Sequence, residues 1–299
     1  GLVDFNMRVG GGQSIIKTGR GEFLLRNETV ATASDTNTFE LAGGAFTIRH
    51  QGANVARLGN AGNFTFRGGS FNSLGRTGEA FTANYSTDTG GVRTVTFAGG
   101  GNEILAKTFG QALTLNIGNT NATNGILNRS QGASVNFIED SSGGGTAAIN
   151  LNFGNTTDVL RGQVIPWATY GTAVRTATDF AMVNAASQAV DSFVRAAGDL
   201  QNNLAAWTNG MNVSEVTGSG FYGALSGDRG LRTLRFDSAT ENNVDLGSIT
   251  LYMSGNVGAG SILVSSNTGV ANKQIGNGTI NLFNSATTVG YYTETTGNL

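Results

Sequence analysis

Period-2 alternation of apolar and polar residues, repeated between glycines, is the feature that most restricts what this chain can become. In Ala61–Gly69, AGNFTFRGG, Phe64 and Phe66 share one face of an extended segment, while Asn63, Thr65 and Arg67 share the other. Such alternation is the signature of a strand with one buried face. GGAFTIRH at Gly43–His50, GEAFTANY at Gly78–Tyr85, VRTVTFAG at Val92–Gly99 and QALTLNIG at Gln111–Gly118 repeat it, as do GASVNFIE at Gly132–Glu139 and AAINLNFG at Ala147–Gly154. With Phe23, Phe46, Phe64, Phe81, Val95, Leu113, Val135 and Ile149 as anchors, the steps are 23, 18, 17, 14, 18, 22 and 14 residues. A step near 18 is too short for paired helices and predicts one coil of a strand-based solenoid. The expected fold is all-β, a single-stranded parallel β-helix (β-solenoid).

Composition agrees with folded β structure rather than disorder. Charged residues are 13%, and 46 glycines accompany one proline, Pro166. Disordered chains usually carry more charge and more proline. Abundant Asn and Thr suit stacked parallel strands, where side-chain amides and hydroxyls form ladders from coil to coil. A net charge of −2 argues against nucleic acid as a partner. No stretch approaches the apolar length of a membrane-spanning helix. The absence of Cys excludes disulfides and thiolate metal sites and permits export. The N-terminal GLVDFNMRVG has neither the basic nor the apolar region of a signal peptide and no initiator Met, so a processed or excised segment is expected.

Three regions are expected within one continuous structural domain: solenoid coils over 1–154, an irregular insert of loosened coils over 155–230, and coils again over 231–299. Within the insert, Ala181, Ala185, Val190, Phe193, Val194, Ala197 and Leu204 recur at roughly helical spacing, and Asp191 with Arg195 forms an i,i+4 pair. That spacing predicts a short helix around Gln188–Ala197 decorating the solenoid side. Alternation returns in LRTLRFDS at Leu231–Ser238, GSITLYMSG at Gly247–Gly255, GSILVSSN at Gly260–Asn267 and GTINLFNS at Gly278–Ser285.

The run IIKTGRGEFLLRN at Ile15–Asn27 resembles the motif of autotransporter-associated β-strand repeats: Lys-Thr-Gly, any residue, Gly, then an alternating strand. Pro166-Trp167-Ala168-Thr169 is similar to part of a glycine-tryptophan-alanine-threonine stretch in large passengers of that family. The Leu231–Phe236 start and the SGNVGAGSILVSSNTG turn resemble it further. The resemblance covers residues 15–40 and 159–285. It implies a right-handed parallel β-helix on a secreted or surface-displayed bacterial passenger, and extended rather than helical conformation over 179–207.

Few residues carry chemistry. His50 is the single histidine and falls on one strand face with Phe46 and Ile48, which places it at the edge of the stack rather than in a triad or a two-His metal site. Parallel β-helices also host polysaccharide-degrading enzymes, which gather carboxylates in one groove. Here Glu139-Asp140 is the only adjacent acidic pair, and its neighbours Ser141–Gly145 predict a solvated turn. Asp228, Arg229, Arg232, Arg235 and Asp237 form the densest charge cluster, expected as a salt-bridged surface patch. No catalytic residue, cofactor or metal site is expected. The phenylalanines on the apolar phase account for themselves as core. Trp167, Tyr170 and Trp207 lie in the insert and are the candidate recognition surface.

The function expected is that of a secreted or cell-surface structural or adhesive β-solenoid, self-associating head to tail into a fibre or surface layer. The alternative is a polysaccharide-binding or polysaccharide-degrading β-helix. A receptor-binding module acting through the 155–230 insert is a third reading.

Overall fold

The structure, a computed structural model, describes residues 2–5, 14–27, 38–50, 63–85, 93–118, 125–153, 162–216, 218–253 and 260–282. Gly90-Gly91, Asp88, Asp158, residues 254–259 of the stretch expected to turn, and the Tyr291–Leu299 end lie outside these residues. The strands run in chain order as β1 (Leu2–Phe5), β2 (Ser14–Thr18), β3 (Glu22–Asn27), β4 (Thr38–Ala42), β5 (Ala45–His50), β6 (Phe64–Phe66), β7 (Gly69–Leu74) and β8 (Phe81–Tyr85). Next come β9 (Arg93–Phe97), β10 (Gly101–Lys107), β11 (Leu113–Ile117), β12 (Gly125–Arg129), β13 (Ser134–Asp140), β14 (Ala147–Leu151) and β15 (Val164–Gly171). They are followed by β16 (Asp179–Val183), β17 (Val190–Ser192), β18 (Met211–Ser214), β19 (Arg229–Phe236), β20 (Asn242–Asp245), β21 (Thr250–Met253), β22 (Ser261–Val264), β23 (Lys273–Gly276) and β24 (Thr279–Leu282).

The protein is all-β and its sheets are predominantly parallel. One sheet has the order β1-β3-β5-β7-β10-β13-β15-β16-β17, a second β12-β9-β6-β4-β2 and a third β14-β11-β8. Later strands form β18-β19-β21-β24, with β22 also on β19, and the pair β20-β23. The first sheet is parallel from β1 to β15 and turns antiparallel at β16 and β17.

The pairing register corrects the repeat length. Phe23 faces Phe46, Phe46 faces Phe71, and the series continues through Ile104, Phe137 and Tyr170. The registered steps are therefore 23, 25, 33, 33 and 33 residues. Successive alternating segments fall in different sheets: Phe64 on β6 pairs with Phe39 and Val95, not with Phe46. The step near 18 is a step between sheets. Alternation marks each strand's buried face but carries no label for the sheet it joins.

Side chains stack along these registers. Phe23, Phe46 and Phe71 stack with nearly parallel ring planes, their centroids 5.1 and 6.1 Å apart, and Phe66 stacks on Phe97 at 5.3 Å. All are buried except Phe23, which packs against the core from its edge. On the opposite phase the expected amide ladder forms. Asn150 donates to Asn116 and Asn116 to Asn84, both at 2.7 Å, along β14-β11-β8. Glycine is required where chain passes over chain. A Cβ on Gly44, whose φ is +70°, would collide with the carbonyl oxygens of Gly19 and Gly21 in the preceding corner. Pro166 sits in β15 between Ile165 and Thr169, where the register with β16 shifts, so its missing N–H interrupts no regular ladder.

No α-helix occurs among the described residues. The segment expected to be helical holds β17 and a 3₁₀ turn at Ala197–Asp199, followed by another at Leu204–Ala206. Strands form over Asp179–Val183 and Val190–Ser192 only, so the segment is neither the expected helix nor extended throughout. Ala181, Val183 and Val190 are buried, whereas Ala185, Val194 and Ala197, which share the expected helical face, are exposed. Arg195 pairs with Asp179 across the strands and not with Asp191. A second core, built on Leu204, Trp207, Val213, Leu231, Leu234 and Phe236, begins within the segment expected to be irregular.

Candidate functional site

The aromatic residues singled out by sequence are mostly interior. Trp167 is 5% exposed, 5.6 Å from Phe97, and lies beneath the Arg129 guanidinium. Trp207 is 1% exposed and meets Phe221 edge-on. Neither indole offers a face to a ligand, which corrects the expectation for both. Tyr170 is half-buried, and its hydroxyl donates to Glu139 Oε2 at 2.8 Å. Trp167 joins the first core from β15, and Trp207 joins the second core from the residue that follows the 3₁₀ turn Leu204–Ala206, which a composition-based boundary at 155 conceals.

Glu139 and Asp140 are not in a solvated turn. They form the end of β13, pointing to opposite sides as consecutive strand residues must. Glu139 Oε1 accepts the Ile149 N–H at 2.6 Å while Oε2 accepts Tyr170. Burial pushes the Glu139 carboxyl up to about 7, against the lowering effect of these two bonds and with a further rise from Asp191. Burial and the adjacent Glu139 charge push the Tyr170 hydroxyl up as well. For Asp140, burial also raises, but the hydrogen bonds from Lys107 at 2.8 Å and Ser142 outweigh it and hold the carboxyl below its usual range. One strand end thus carries an acid that holds its proton to near neutrality beside one that does not.

His50 is likewise buried rather than at an edge. Its Nε2 lies 2.9 Å from Ser73 Oγ and 3.4 Å from the Tyr85 hydroxyl, with the ring 4.3 Å from Phe81. The charge cluster of β19 divides between surface and interior. Asp228 is exposed, whereas Arg235 and Asp237 are nearly enclosed, correcting the surface-patch expectation for them. Arg235 reaches both Asp237 at 2.5 Å and Asp179 at 2.9 Å, and Arg195 binds the same Asp179 oxygen at 2.5 Å. Ser265 and Asn267 complete Asp237, so this network ties β16 and β17 to the second core.

A third polar centre has no sequence signal, because its members are far apart in the chain. Lys273 Nζ binds both oxygens of Glu215 at 3.1 Å, and Asn242 Nδ2 donates to Glu215 Oε1 at 3.0 Å. Among the described residues no group of His, Cys, Asp and Glu is placed to hold a metal ion, and no helix is long and apolar enough to cross a membrane. No protein-family model matches the chain, and comparisons with curated proteins and with solved structures likewise find no match.

Proposed function

We propose that the chain is a β-solenoid serving a structural or adhesive role outside a bacterial cell, as a secreted or surface-displayed passenger of the kind its Ile15–Asn27 motif resembles. The supporting observation is the continuous parallel register from Phe23 to Tyr170, in which each strand repeats the face of the one before it. Seven strands stacked in this way, β1 to β15 of the first sheet, span roughly 30 Å at the usual strand spacing. Such stacking needs only nearest-neighbour contacts and yields stiff rods. Polar uncharged ladders on the outer phase favour lateral contact without a charge field to oppose it. Head-to-tail addition of copies, strand edge to strand edge, would extend the rod into a fibre. Negative-stain electron microscopy of the purified chain tests this. Long uniform fibres support it, and isolated short rods at high concentration refute the self-association.

A second reading, a polysaccharide-degrading β-helix, draws on Glu139, whose carboxyl retains a proton near neutrality as a general acid must. Depolymerisation activity on a panel of bacterial and plant polysaccharides, lost in Glu139→Gln, would replace the structural reading with this one.

A further inference from the structure

We propose that Lys273 and Asn242 become joined by an intramolecular amide bond, formed autocatalytically with Glu215 as the proton-transfer group. The two residues are directly opposite each other in the β20-β23 pair, on neighbouring parallel strands. Their side chains converge on one atom: Lys273 Nζ and Asn242 Nδ2 bind Glu215 Oε1 at 3.1 and 3.0 Å. Lys273 and Glu215 are enclosed, with side-chain exposures of 2% and 0%, and Asn242 is part-buried beside them. The Phe236 ring lies 5.9 Å from Nζ, and the Thr240 carbonyl accepts from Nζ at 2.6 Å. The N–H groups of Asp237 and Ser238 hold Glu215 Oε2 at 2.8 and 2.9 Å. Gly220 lies against the Asn242 carboxamide so closely that a Cβ there would stand 3.0 Å from Cγ, which limits where that group can turn.

An enclosed amine and carboxyl, with a part-buried carboxamide bound to the same carboxyl oxygen, supply every group needed for transamidation. An enclosed ion pair has little hydration left to lose when it neutralises itself by proton transfer. The Lys273 ammonium passes a proton to Glu215, and the freed Nζ lone pair attacks Asn242 Cγ, forming the C–N bond. Glu215 supplies its proton to the carboxamide nitrogen as the Cγ–Nδ2 bond breaks. Ammonia departs, taking the proton released from Nζ, so that ammonium leaves and Glu215 returns to its carboxylate. Atoms and charge balance with no oxidant, metal or cofactor. Enclosure supplies proximity, which accounts for much of the acceleration in such intramolecular steps. In a chain without cysteine, the bond would clamp β20 to β23 as a disulfide otherwise would.

Intact-mass measurement and tandem mass spectrometry of tryptic peptides from the folded chain test this. The expected result is a mass lower than the sequence by one ammonia, and a branched peptide joining the segments that carry Asn242 and Lys273. Glu215→Gln, with folding checked by circular dichroism, should show the full sequence mass and two separate peptides. Because Asn124-Gly125, Asn209-Gly210 and Asn277-Gly278 can lose ammonia by succinimide formation, the branched peptide is the deciding signal. Unbranched Asn242 and Lys273 peptides from the wild-type chain after prolonged incubation at neutral pH would overturn the bond. That result needs no variant to fold. A branched peptide persisting in folded Glu215→Gln would overturn the role given to Glu215.

Discussion

Replacing Glu139 by Gln isolates the effect of one proton on the stability of the strand stack. Glutamine keeps an oxygen for the Ile149 N–H and a polar group for Tyr170, but it cannot ionise. The native carboxyl titrates at about 7 against an ordinary value of 4.5, so the folded state keeps a proton that the unfolded chain has already released in that window. With more protons bound in the native state, stability falls as pH rises from about 4.5 to 7. At 1.36 kcal/mol per pH unit the loss approaches about 3 kcal/mol, and the half-buried position makes this an upper estimate. The Asp140 contribution has the opposite sign, being lost as pH falls through its lowered folded value, and it is common to both proteins. Urea denaturation followed by circular dichroism at half-unit steps from pH 4 to 8 measures the difference. The two proteins should be similarly stable at the acid end, and Glu139→Gln should be the more stable by roughly 2–3 kcal/mol above pH 7.5. Parallel curves across the window would refute both the enclosure of Glu139 and the proton assigned to it.

Asp179→Asn leaves two enclosed guanidiniums, Arg195 and Arg235, without their shared carboxylate and should cost about 3–5 kcal/mol in chemical denaturation. Arg67→Ala, which breaks the exposed pair with Glu40, should cost under about 1 kcal/mol in the same assay. Asn116→Ala removes the middle rung of the β8-β11-β14 amide ladder, both a donor and an acceptor, and should lower stability by about 1–3 kcal/mol. Gly143→Ala would drive a methyl group into the Thr108 carbonyl and should destabilise by about 1–3 kcal/mol, whereas Gly99→Ala, which faces open space, should stay within about 1 kcal/mol of wild type; thermal melts of the two variants decide it.

Much of the architecture was legible in the sequence because a strand writes its buried face locally. Phe46, Phe64, Phe66 and Phe97 occupy the interior positions that their alternation assigns them, and the amide ladder predicted from Asn-rich polar phases is present in Asn84, Asn116 and Asn150. The helix expected around Gln188–Ala197 was not formed, because seven scattered apolar residues fit a helical spacing as well as they fit short strands. The packing of Ala181, Val183 and Val190 against the first core selected the strands.

The sequence by itself determined the all-β class, the inward phase of each strand and the places where glycine turns the chain, since all three depend on residues within a few positions of one another. Only the tertiary structure decided which strands share a sheet, and with it the 33-residue register that seats Phe137 beside Ile104 and Tyr170. It also decided the polar centres. Glu139 meets Tyr170 31 residues on, Asp179 meets Arg235 56 residues on, and Glu215 meets Lys273 58 residues on. Their burial and protonation arise from partners brought near by strand pairing. Local sequence has no means of recording distances of that kind.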